Sequence, residues 1–559
     1  MPATPRRRRL LAAAAVLALS GALAACGGSA GSKGPSASVQ QGVLTVATGA
    51  NTFTANFNPF SPNQMQATDG LIYEPLFFYN TMKAGDVHPW LGTSFSWADG
   101  GTTLHIKIRS GVKWSDGQPL TPDDVAFSFQ NAIDSQALNA YGLPLSSVAT
   151  EGGDGVVLKF SQPAYTKEYF VLGKTLILPR HVWSAIPVDQ RTTTLNSKPV
   201  GTGAWTVKSV ATSVLTLAAR KDYYFAGYPK FKEIRYLGFN GNNSIDAAIS
   251  SGKTDWSGGF IPDIQKNYLA KDPKFTLVNI PLAVTFFVPN AAQGPTADPN
   301  VRKAISAAVD RDFMSRSVYD GQAPATNPSA LLLPNYSSIQ DSSVPTSFET
   351  GQEKVDAYLR ASGYTRGSDG YWAKDGKRLS ITVKTVSGWT DYLSIDQLAQ
   401  QQLKKAGIEL KVTAEAYNTW AADQASGNFE MLLSNYGYTP DPRAYYAQML
   451  DSRIAKPIGQ QTTGGNYGRY KSAVVDEALD RIGATTDVNQ QKTWFAKIQQ
   501  QFVKDMPLIP LMDAQNEAEF NGNNVKGFPT ADNPYAAPSV WLFPDAGWVA
   551  MRLEPVTAK

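Results

Sequence analysis

The run from Arg378 to Thr413 constrains the fold more than any other stretch of this 559-residue chain. Leu379, Ile381 and Val383 alternate with polar residues, which is typical of a half-buried strand. A helical pattern follows and stops at Gly407, and a second alternating strand comes directly after it. Because parallel strands need such a crossover, the run predicts a right-handed βαβ unit and an α/β fold.

The loop after the first strand of this unit is a candidate binding site, because ligands of open α/β sheets collect at the carboxyl ends of the strands. The residues at this position are Ser387, Gly388, Trp389 and Asp391.

A second candidate is the segment SNYGYTPDPRAYY, which covers residues 434–446. Its glycine and two prolines predict an irregular loop. Tyr436 and Tyr438 are candidates for ligand contact there, since a tyrosine ring is a rigid apolar body with a polar tip. Phe429 lies just before this segment and is expected to pack in the core.

Other elements can be placed from local signals. Residues 43–48 (VLTVAT) read as a strand, and residues 104–108 alternate as the second strand of a hairpin. Thr121-Pro122 and Asp298-Pro299 are helix starts, because each pairs a capping side chain with proline at the first helical position. The second helix is expected to stop at Gly321. We interpret Asp123 and Asp124 as part of this helix start rather than as an acid/base pair.

The residue types for several kinds of catalysis are missing or badly spaced. The three histidines, His88, His105 and His181, are far apart in sequence, so we expect hydrogen-bonded or solvated structural roles and no metal site. Two Gly-Lys-Thr triplets lack the upstream glycine of a phosphate loop. No nucleophile–base pair stands out, although a carboxylate pair of a hydrolase is not excluded.

The N-terminus has the layout of a secretory signal. Arg6 to Arg9 precede an apolar stretch too short for a convincing membrane span, and the only cysteine, Cys26, follows small residues. Residues 23–26 (LAAC) resemble the bacterial lipobox, which implies cleavage after residue 25 and lipid attachment to Cys26. The alternative is an ordinary cleaved signal with an accidental cysteine.

Export would change the charge balance of the chain. The Gly/Ser-rich residues 26–41 would form a flexible tether. Loss of residues 1–25 removes four arginines and no acidic residue, so basic residues would then equal the 47 acidic ones. A neutral body gives no electrostatic reason to expect nucleic acid as a partner.

Four separated blocks resemble one family in the same order. They are YEPLFFYN (73–80), residues 88–129 around SGVKWSDGQPLTPDDV, VGTGAW (200–205) and VRKAISAAVDRD (301–312). Together they are similar to the family 5 extracellular solute-binding proteins of ABC importers, over about residues 43–528.

The resemblance implies a two-lobed, periplasmic-binding-protein-like (Venus flytrap) α/β fold with an extra domain inserted in the first lobe. The first lobe would cover residues 42–289 and 515–559, with the insertion at about 92–199, and the second lobe would cover 290–514. A monomer without a cofactor is the default expectation. The lipobox, with which the family agrees, implies a lipid anchor on the outer face of the cytoplasmic membrane. The partners of the chain would be the permease and ATPase subunits of the importer.

Ligand choice in such a family should reside in loops that face the cleft. By position, the candidates are Thr52, Phe53, Ser387, Gly388, Trp389, Tyr417, Trp420, Asn435, Tyr436, Tyr438 and Asp441. Peptide-binding members usually place an aspartate before an acidic-Pro pair, where it meets the ligand's α-amino group. Tyr438 stands at the matching position here, unless the alignment slips and Asp441 takes that role.

The ligand class is therefore open at this point. A peptide or peptide-like solute is the first choice, and an oligosaccharide is the alternative that stacked aromatic residues and a missing charge partner would favour. Nickel fits poorly with three histidines. An anchored hydrolase and a peptide-sensing receptor are the competing functions, and on the main reading the protein is not an enzyme.

Overall fold

The computed structural model describes residues 42–49, 52–61, 64–83, 85–333, 335–462, 464–530 and 532–556. The expected signal segment, Cys26 and the tether lie outside these residues and stay predictions. The strands, in chain order, are β1 (Val43–Thr48), β2 (Phe77–Tyr79), β3 (Val87–Pro89), β4 (Gly92–Ala98), β5 (Thr103–Ile108), β6 (Leu145–Glu151), β7 (Gly155–Phe160), β8 (Trp205–Ala211), β9 (Val214–Ala219), β10 (Glu233–Gly238), β11 (Trp256–Ser257), β12 (Phe275–Pro289), β13 (Thr365–Arg366), β14 (Trp372–Lys374), β15 (Lys377–Arg378), β16 (Ser380–Val386), β17 (Glu409–Glu415), β18 (Met431–Gly437), β19 (Ile509–Asn521), β20 (Val525–Lys526) and β21 (Glu554–Pro555).

The α-helices of the same part of the chain are α1 (Pro122–Asp134), α2 (Arg180–Trp183), α3 (Asn242–Ser250), α4 (Ile264–Asn267), α5 (Pro299–Ala308), α6 (Arg311–Tyr319), α7 (Gln352–Ala361), α8 (Thr390–Ala406), α9 (Tyr417–Ser426), α10 (Pro442–Leu450), α11 (Ala473–Gly483), α12 (Val488–Asp505) and α13 (Asp545–Arg552). Among the described residues, no helix has the length and apolar character that crossing a membrane requires.

One large mixed sheet organises the chain. Its strand order is β17-β16-β18-β12-β19-β11-β1-β10-β9-β8. We call the β11, β1, β10, β9 and β8 side the first lobe, and the β18, β16 and β17 side the second lobe. Separate buried clusters support them: one in the first lobe contains Leu44 and Trp256, and two in the second contain Ile381 and Leu432 on opposite sides of the sheet.

Strands β12 and β19 join the two lobes. They pair antiparallel from Phe275↔Asn521 to Phe287↔Ile509, with two register shifts. The expected lobe boundary after residue 289 coincides with the end of β12, and the one at 514/515 falls inside β19. The exact division into domains stays a prediction.

A smaller antiparallel sheet, β4-β5-β7-β6, forms an additional unit next to the first lobe, and it packs with α1 around its own buried cluster. The hairpin expected at residues 104–108 is confirmed, because β4 and β5 pair antiparallel. We call this unit and the chain that follows it up to β8 the inserted segment.

The βαβ prediction is confirmed in detail. Strands β16 and β17 pair parallel from Ser380↔Glu409 to Val386↔Glu415, with α8 between them. Gly407 ends α8 in the left-handed conformation, at φ = 83°, where a glycine has no steric penalty.

Two boundaries differ from expectation. The helix that starts at Asp298-Pro299 ends at Ala308 rather than continuing towards Gly321, because Val309 is extended and the Asp310 carboxylate accepts the Phe313 N–H to begin α6. Within residues 434–446, the loop prediction was wrong at both ends. Strand β18 runs to Gly437 and α10 starts at Pro442, so only four residues are irregular.

Asp124 at the start of α1 ties three segments together. Its carboxylate is buried and accepts the Thr121 N–H (2.9 Å) and the Arg180 N–H (2.8 Å), with the indole N–H of Trp114 at 3.4 Å. The capping role expected for this residue is therefore confirmed and extends to a neighbouring loop.

We predict that Asp124→Ala lowers the free energy of unfolding by about 2–4 kcal/mol, because several buried donors lose their acceptor. Urea unfolding of the chain from Gly27 onward would measure this. The matched control is Asp123→Ala, whose exposed carboxylate lies 3.5 Å from Arg180 and should contribute less than about 1 kcal/mol. Equal losses in the two variants would contradict the role given to Asp124.

Candidate ligand-binding cleft

Three parallel strands of the second lobe end at one edge of the sheet. Strand β16 pairs parallel with both β17 and β18, so Val386, Glu415 and Gly437 end their strands on the same side. The loops that follow these ends carry most of the residues proposed from the sequence. The topology therefore brings together positions that are up to about fifty residues apart in the chain.

Aromatic side chains cluster around the first of these loops. The Trp389 ring lies 5.2 Å from Trp420, 6.1 Å from Tyr417 and 5.5 Å from Tyr392, measured between centroids. Tyr417 is 52% exposed and Trp389 is half-buried, whereas Trp420 is buried and its indole N–H donates to the Lys384 carbonyl at 3.3 Å. The buried Trp420 ring therefore forms the base of the cluster, and the Trp389 and Tyr417 rings lie nearer the surface.

The alternation of β18 separates two neighbouring candidates. Asn435 is exposed at the edge, and its amide N–H donates to the Tyr392 hydroxyl at 3.0 Å. Tyr436 points the other way and is only 5% exposed, packed in the core against Tyr467 and Phe286. The assignment of both residues to an irregular loop is wrong, since they lie in a regular strand with period two.

Tyr438 is held in place by a second tyrosine. Its half-buried ring stacks on Tyr336 at 5.2 Å. The Tyr336 hydroxyl donates to the Thr439 carbonyl (2.7 Å) and accepts the Thr439 N–H (3.0 Å), which fixes the short loop between β18 and α10.

Asp441 caps α10 with one oxygen and leaves the other unused. Its Oδ1 accepts the Arg443 N–H at 2.8 Å, while Oδ2 is buried without a hydrogen-bond partner. Burial raises the pKa of this carboxyl, and nearby Arg443 and Lys167 act in the opposite direction. A buried carboxylate oxygen without a donor is costly, so this position favours a ligand that supplies one.

Lys167 faces these second-lobe charges from the inserted segment. Its ammonium donates to the Tyr141 carbonyl at 2.7 Å. Burial, followed by the neighbouring charge of Arg443, lowers the pKa of Lys167 to about 8, although Asp441 acts in the opposite direction. No ion pair within 4.0 Å joins Lys167 to Asp441 in the described part of the chain.

The two candidate residues that follow β1, Thr52 and Phe53, differ in their exposure. Phe53 is only 8% exposed and belongs to the core of the first lobe, where its N–H donates to the Thr212 carbonyl at 2.8 Å. Thr52 beside it is exposed. The position after β1 therefore offers Thr52 rather than the Phe53 ring to an open surface.

Two neighbouring carboxyl groups, those of Glu517 and Asp391, lie where strands β12 and β19 join the lobes. Burial, reinforced by Glu519 and Asp391, raises the pKa of Glu517 on β19 to about 9. Asp391 also accepts a hydrogen bond from the Tyr319 hydroxyl at 2.9 Å. Among the residues with described positions, no group of three His, Cys, Asp or Glu side chains is arranged to hold a metal ion.

The sequence indicated Ser387, Trp389, Tyr417, Asn435, Tyr438 and Asp441 at this edge, but it missed the residues that face them from elsewhere. Those are Lys167, Tyr336 and Glu517. Of these three, only Glu517 lies in a segment with a pattern, since polar and apolar residues alternate over residues 517–520 of β19. Lys167 and Tyr336 lie in segments without a periodic pattern.

The three histidines each lie beside a carboxylate in the first lobe or inserted segment. His88 Nε2 is 3.0 Å from Asp86, His105 Nδ1 is 3.0 Å from Glu151, and His181 Nε2 is 2.7 Å from Asp116. The hydrogen-bonded structural role expected for them is confirmed.

The described chain is thus a two-lobed α/β protein with aromatic and acidic side chains at the strand ends that face the other lobe, which is the architecture of a solute-binding protein. The family model of the bacterial extracellular solute-binding proteins, family 5, matches residues 86–456. The chain belongs to this family.

Relatives and solved structures agree with this assignment. The oligopeptide-binding protein AppA of Bacillus subtilis is 27% identical over 540 residues, which cover 94% of this chain and 96% of AppA. The nickel-binding periplasmic protein of Escherichia coli is 24% identical, over 84% of this chain and 88% of its own length.

Among solved structures, a periplasmic oligopeptide-binding protein of Thermotoga maritima with mannohexaose bound has a TM-score of 0.87 at 26% identity, and covers 93% of this chain and 99% of its own. The structure of AppA with a nonapeptide has a TM-score of 0.80 at 24% identity, with 93% and 99% covered. The predicted periplasmic-binding-protein-like fold is confirmed.

Asp396 lies beneath the site on α8, and it makes stability depend on pH. The side chain is fully buried, one oxygen accepts the Thr385 hydroxyl, and the other has no partner. Burial raises its pKa to about 7. The folded chain therefore holds this proton more tightly than the unfolded chain, whose aspartate pKa is about 3.9.

We predict that the free energy of unfolding falls as pH rises from about 4 to 7, and that Asp396→Asn removes part of this fall. At pH 8 the variant should be more stable than the unmodified chain by up to about 4 kcal/mol, and at pH 4 the two should differ little. Urea unfolding at both pH values measures this. The control Asp375→Asn, at an exposed position, should keep the original profile. Parallel profiles for Asp396→Asn and the unmodified chain would contradict the assignment.

Proposed function

We propose that the mature chain is the binding lipoprotein of an ABC importer, which encloses a peptide or peptide-like solute between its lobes and delivers it to a membrane permease. Membership of the family supports the importer role, and the similarity to AppA along nearly the whole chain supports a peptide. Closure would remove a small polar molecule from water and surround it with fixed donors and acceptors.

The unpartnered Oδ2 of Asp441 is the observation that carries this choice. A peptide's α-ammonium group would give this oxygen a charge-assisted hydrogen bond. Asp441 then takes the role that a family aspartate usually has, and Tyr438 becomes a stacking wall beside it. The exposed amide of Asn435 can serve the peptide backbone.

An oligosaccharide is the second candidate, because the half-buried Trp389 ring and the exposed Tyr417 ring lie together at the same edge. A sugar hydroxyl can also donate to Asp441. The mannohexaose bound to the Thermotoga maritima protein supports this alternative. Peptide and sugar differ in charge, so the two candidates can be separated by experiment.

The first experiment identifies the ligand directly. The chain from Gly27 onward is purified, denatured, and its released small molecules are identified by mass spectrometry. Short peptides in about equimolar amount support the first choice, and glycans support the second. Incubation of the folded chain with the recovered solute should return that solute unchanged. Its conversion to a product would instead support an anchored hydrolase and contradict the binding role.

Variants of the cleft then test the site. With the identified ligand, Asp441→Asn keeps a helix-capping side chain but removes the charge, so affinity for a peptide should fall by about 10–100-fold. For a sugar the loss should be smaller, while Trp389→Ala and Tyr438→Ala should each weaken binding by about tenfold or more. Calorimetric titration measures the affinities, and the melting temperature without ligand should barely change. Normal binding in all three variants would show that the site is misplaced.

The remaining parts of the proposal concern location and partners. We infer that an acylated Cys26 attaches the chain to the outer face of the cytoplasmic membrane, because residues 23–26 resemble a lipobox. Two or more acyl chains suffice for stable anchoring. The permease and ATPase subunits are the expected partners, and a monomer is the expected form. A peptide-sensing role would differ from import only in the protein captured with the chain.

We predict that Cys26→Ser releases the chain from the membrane. In a bacterial host, the unmodified precursor should sediment with membranes and incorporate labelled palmitate, whereas the variant should remain soluble and unlabelled. Ser29→Ala, three residues after Cys26, is the matched control and should stay membrane-bound. Membrane association of Cys26→Ser would contradict the lipid anchor.

A further inference from the structure

The two lobes touch directly at the loop expected to bind ligand. The Asn242 N–H, at the start of α3 in the first lobe, donates to the Gly388 carbonyl of the second lobe at 3.0 Å. Gly241 and Gly388 approach so closely that a Cβ on Gly241 would lie 2.6 Å from the Gly388 oxygen. A Cβ on Gly388 would in turn lie 2.8 Å from the Gly241 Cα. Only glycine permits this approach, and Gly241 also has φ = 93°.

A partly buried side-chain pair reinforces this contact. The Asn242 amide donates to Asp391 Oδ1 at 3.0 Å and lies 3.3 Å from the Thr390 hydroxyl. Asp391 Oδ2 accepts the Tyr319 hydroxyl at 2.9 Å, so both carboxylate oxygens have donors. Asn242 is only 8% exposed. Hydrogen bonds shielded from water in this way lose more free energy when one partner is removed than exposed bonds do.

An apolar contact borders the same pair. Phe260 of the first lobe packs edge-to-face on Tyr319 of the second lobe at 5.4 Å. Besides burial, Asp391 contributes to the raised pKa of Glu517, and the side chains that lower the pKa of Asp391 are the hydrogen-bond donors Tyr319 and Asn242. Asn242 is therefore the neutral donor from the first lobe that this acidic position requires.

We propose that the Asn242–Asp391 pair, seated on the Gly241–Gly388 contact, is an interlobe latch that favours the closed arrangement through protein–protein contacts. Asn242, Asp391 and Tyr319 act as positioning residues, because they bring the cleft walls together. Such a latch sets the fraction of chains that are closed before ligand binds. The apparent affinity for every ligand then scales with that fraction, and the choice between ligands does not.

This inference deepens the proposed function, since closure around a solute is the event that the latch would regulate. Its test needs no ligand, however, so its failure can be distinguished from a wrong ligand assignment.

The test measures the distance between lobes in solution. The chain from Gly27 onward contains no cysteine, so spin labels can be attached to Leu195→Cys in the inserted segment beside the first lobe and to Val488→Cys in the second lobe. These positions are 60% and 59% exposed. After refolding from denaturant and dialysis to remove bound solutes, double electron–electron resonance gives the populations of short and long distances.

We predict that Asn242→Asp lowers the closed-to-open ratio by about tenfold, because it places two carboxylates together. Asp391→Asn alone should lower the ratio less, because its amide oxygen can still accept from Asn242 while its NH2 group donates to the Tyr319 hydroxyl. The exchanged pair, Asn242→Asp with Asp391→Asn, restores complementary donors and acceptors and should recover most of the closed population. Asn243→Asp makes the same charge change at the next, exposed residue of α3 and should match the unmodified chain.

Distance distributions that are the same in the unmodified chain and in both single variants would overturn the latch. The latch would also be overturned if the exchanged pair lowered the closed-to-open ratio by as much as the effects of the two single substitutions combined. General destabilisation cannot explain a recovered closed population in the exchanged pair, because that chain carries both substitutions.

Discussion

The antiparallel pairing of β12 with β19 is the interaction on which the two-lobed form depends. Near its middle, around Asn279↔Glu517, these strands pair only with each other, whereas β18 and β11 join them further towards each lobe. A two-stranded ribbon twists more readily than a wide sheet, and the register shifts near Pro281 and Phe286 interrupt the ladder further. The backbone therefore holds the lobes in one sheet while it leaves a narrow connection between them.

Local patterns were sufficient to predict the elements that position the site. The βαβ unit, its Gly407 cap and the Asp298 helix start depend on residues close in sequence, and all three are confirmed. The loop prediction for residues 434–446 was wrong because it treated glycine and proline as signals of irregular structure. Here β18 is held by β12 and β16, and Pro442 occupies the first position of a helix, where it needs no N–H.

The facing side chains of the cleft were beyond prediction for a different reason. Asn242 and Asp391 are 149 residues apart, and Tyr141 and Lys167 come from the inserted segment. No periodicity connects such pairs, since their proximity follows from how the lobes meet rather than from either segment alone. The sequence indicated the strand ends of the second lobe, whereas on the facing side it indicated only Thr52 and Phe53, directly after β1.

The contacts between the lobes include both satisfied and unsatisfied polar groups, and on the proposed function their balance gives the ligand its role. At Asp391 one oxygen accepts the Asn242 amide across the lobe boundary and the other accepts the Tyr319 hydroxyl within the second lobe, so closure leaves both oxygens with donors. At Asp441, Oδ2 is buried without a hydrogen-bond partner, and the Lys167 ammonium donates to the Tyr141 carbonyl but makes no ion pair with Asp441 among the described residues. Burial raises the pKa of Asp441 and lowers that of Lys167. These incompletely paired groups oppose closure, because their lost hydration is only partly replaced. On the proposed function, a solute that donates to Asp441 and accepts from Lys167 removes this cost, so the same cleft can discriminate a correct ligand from water.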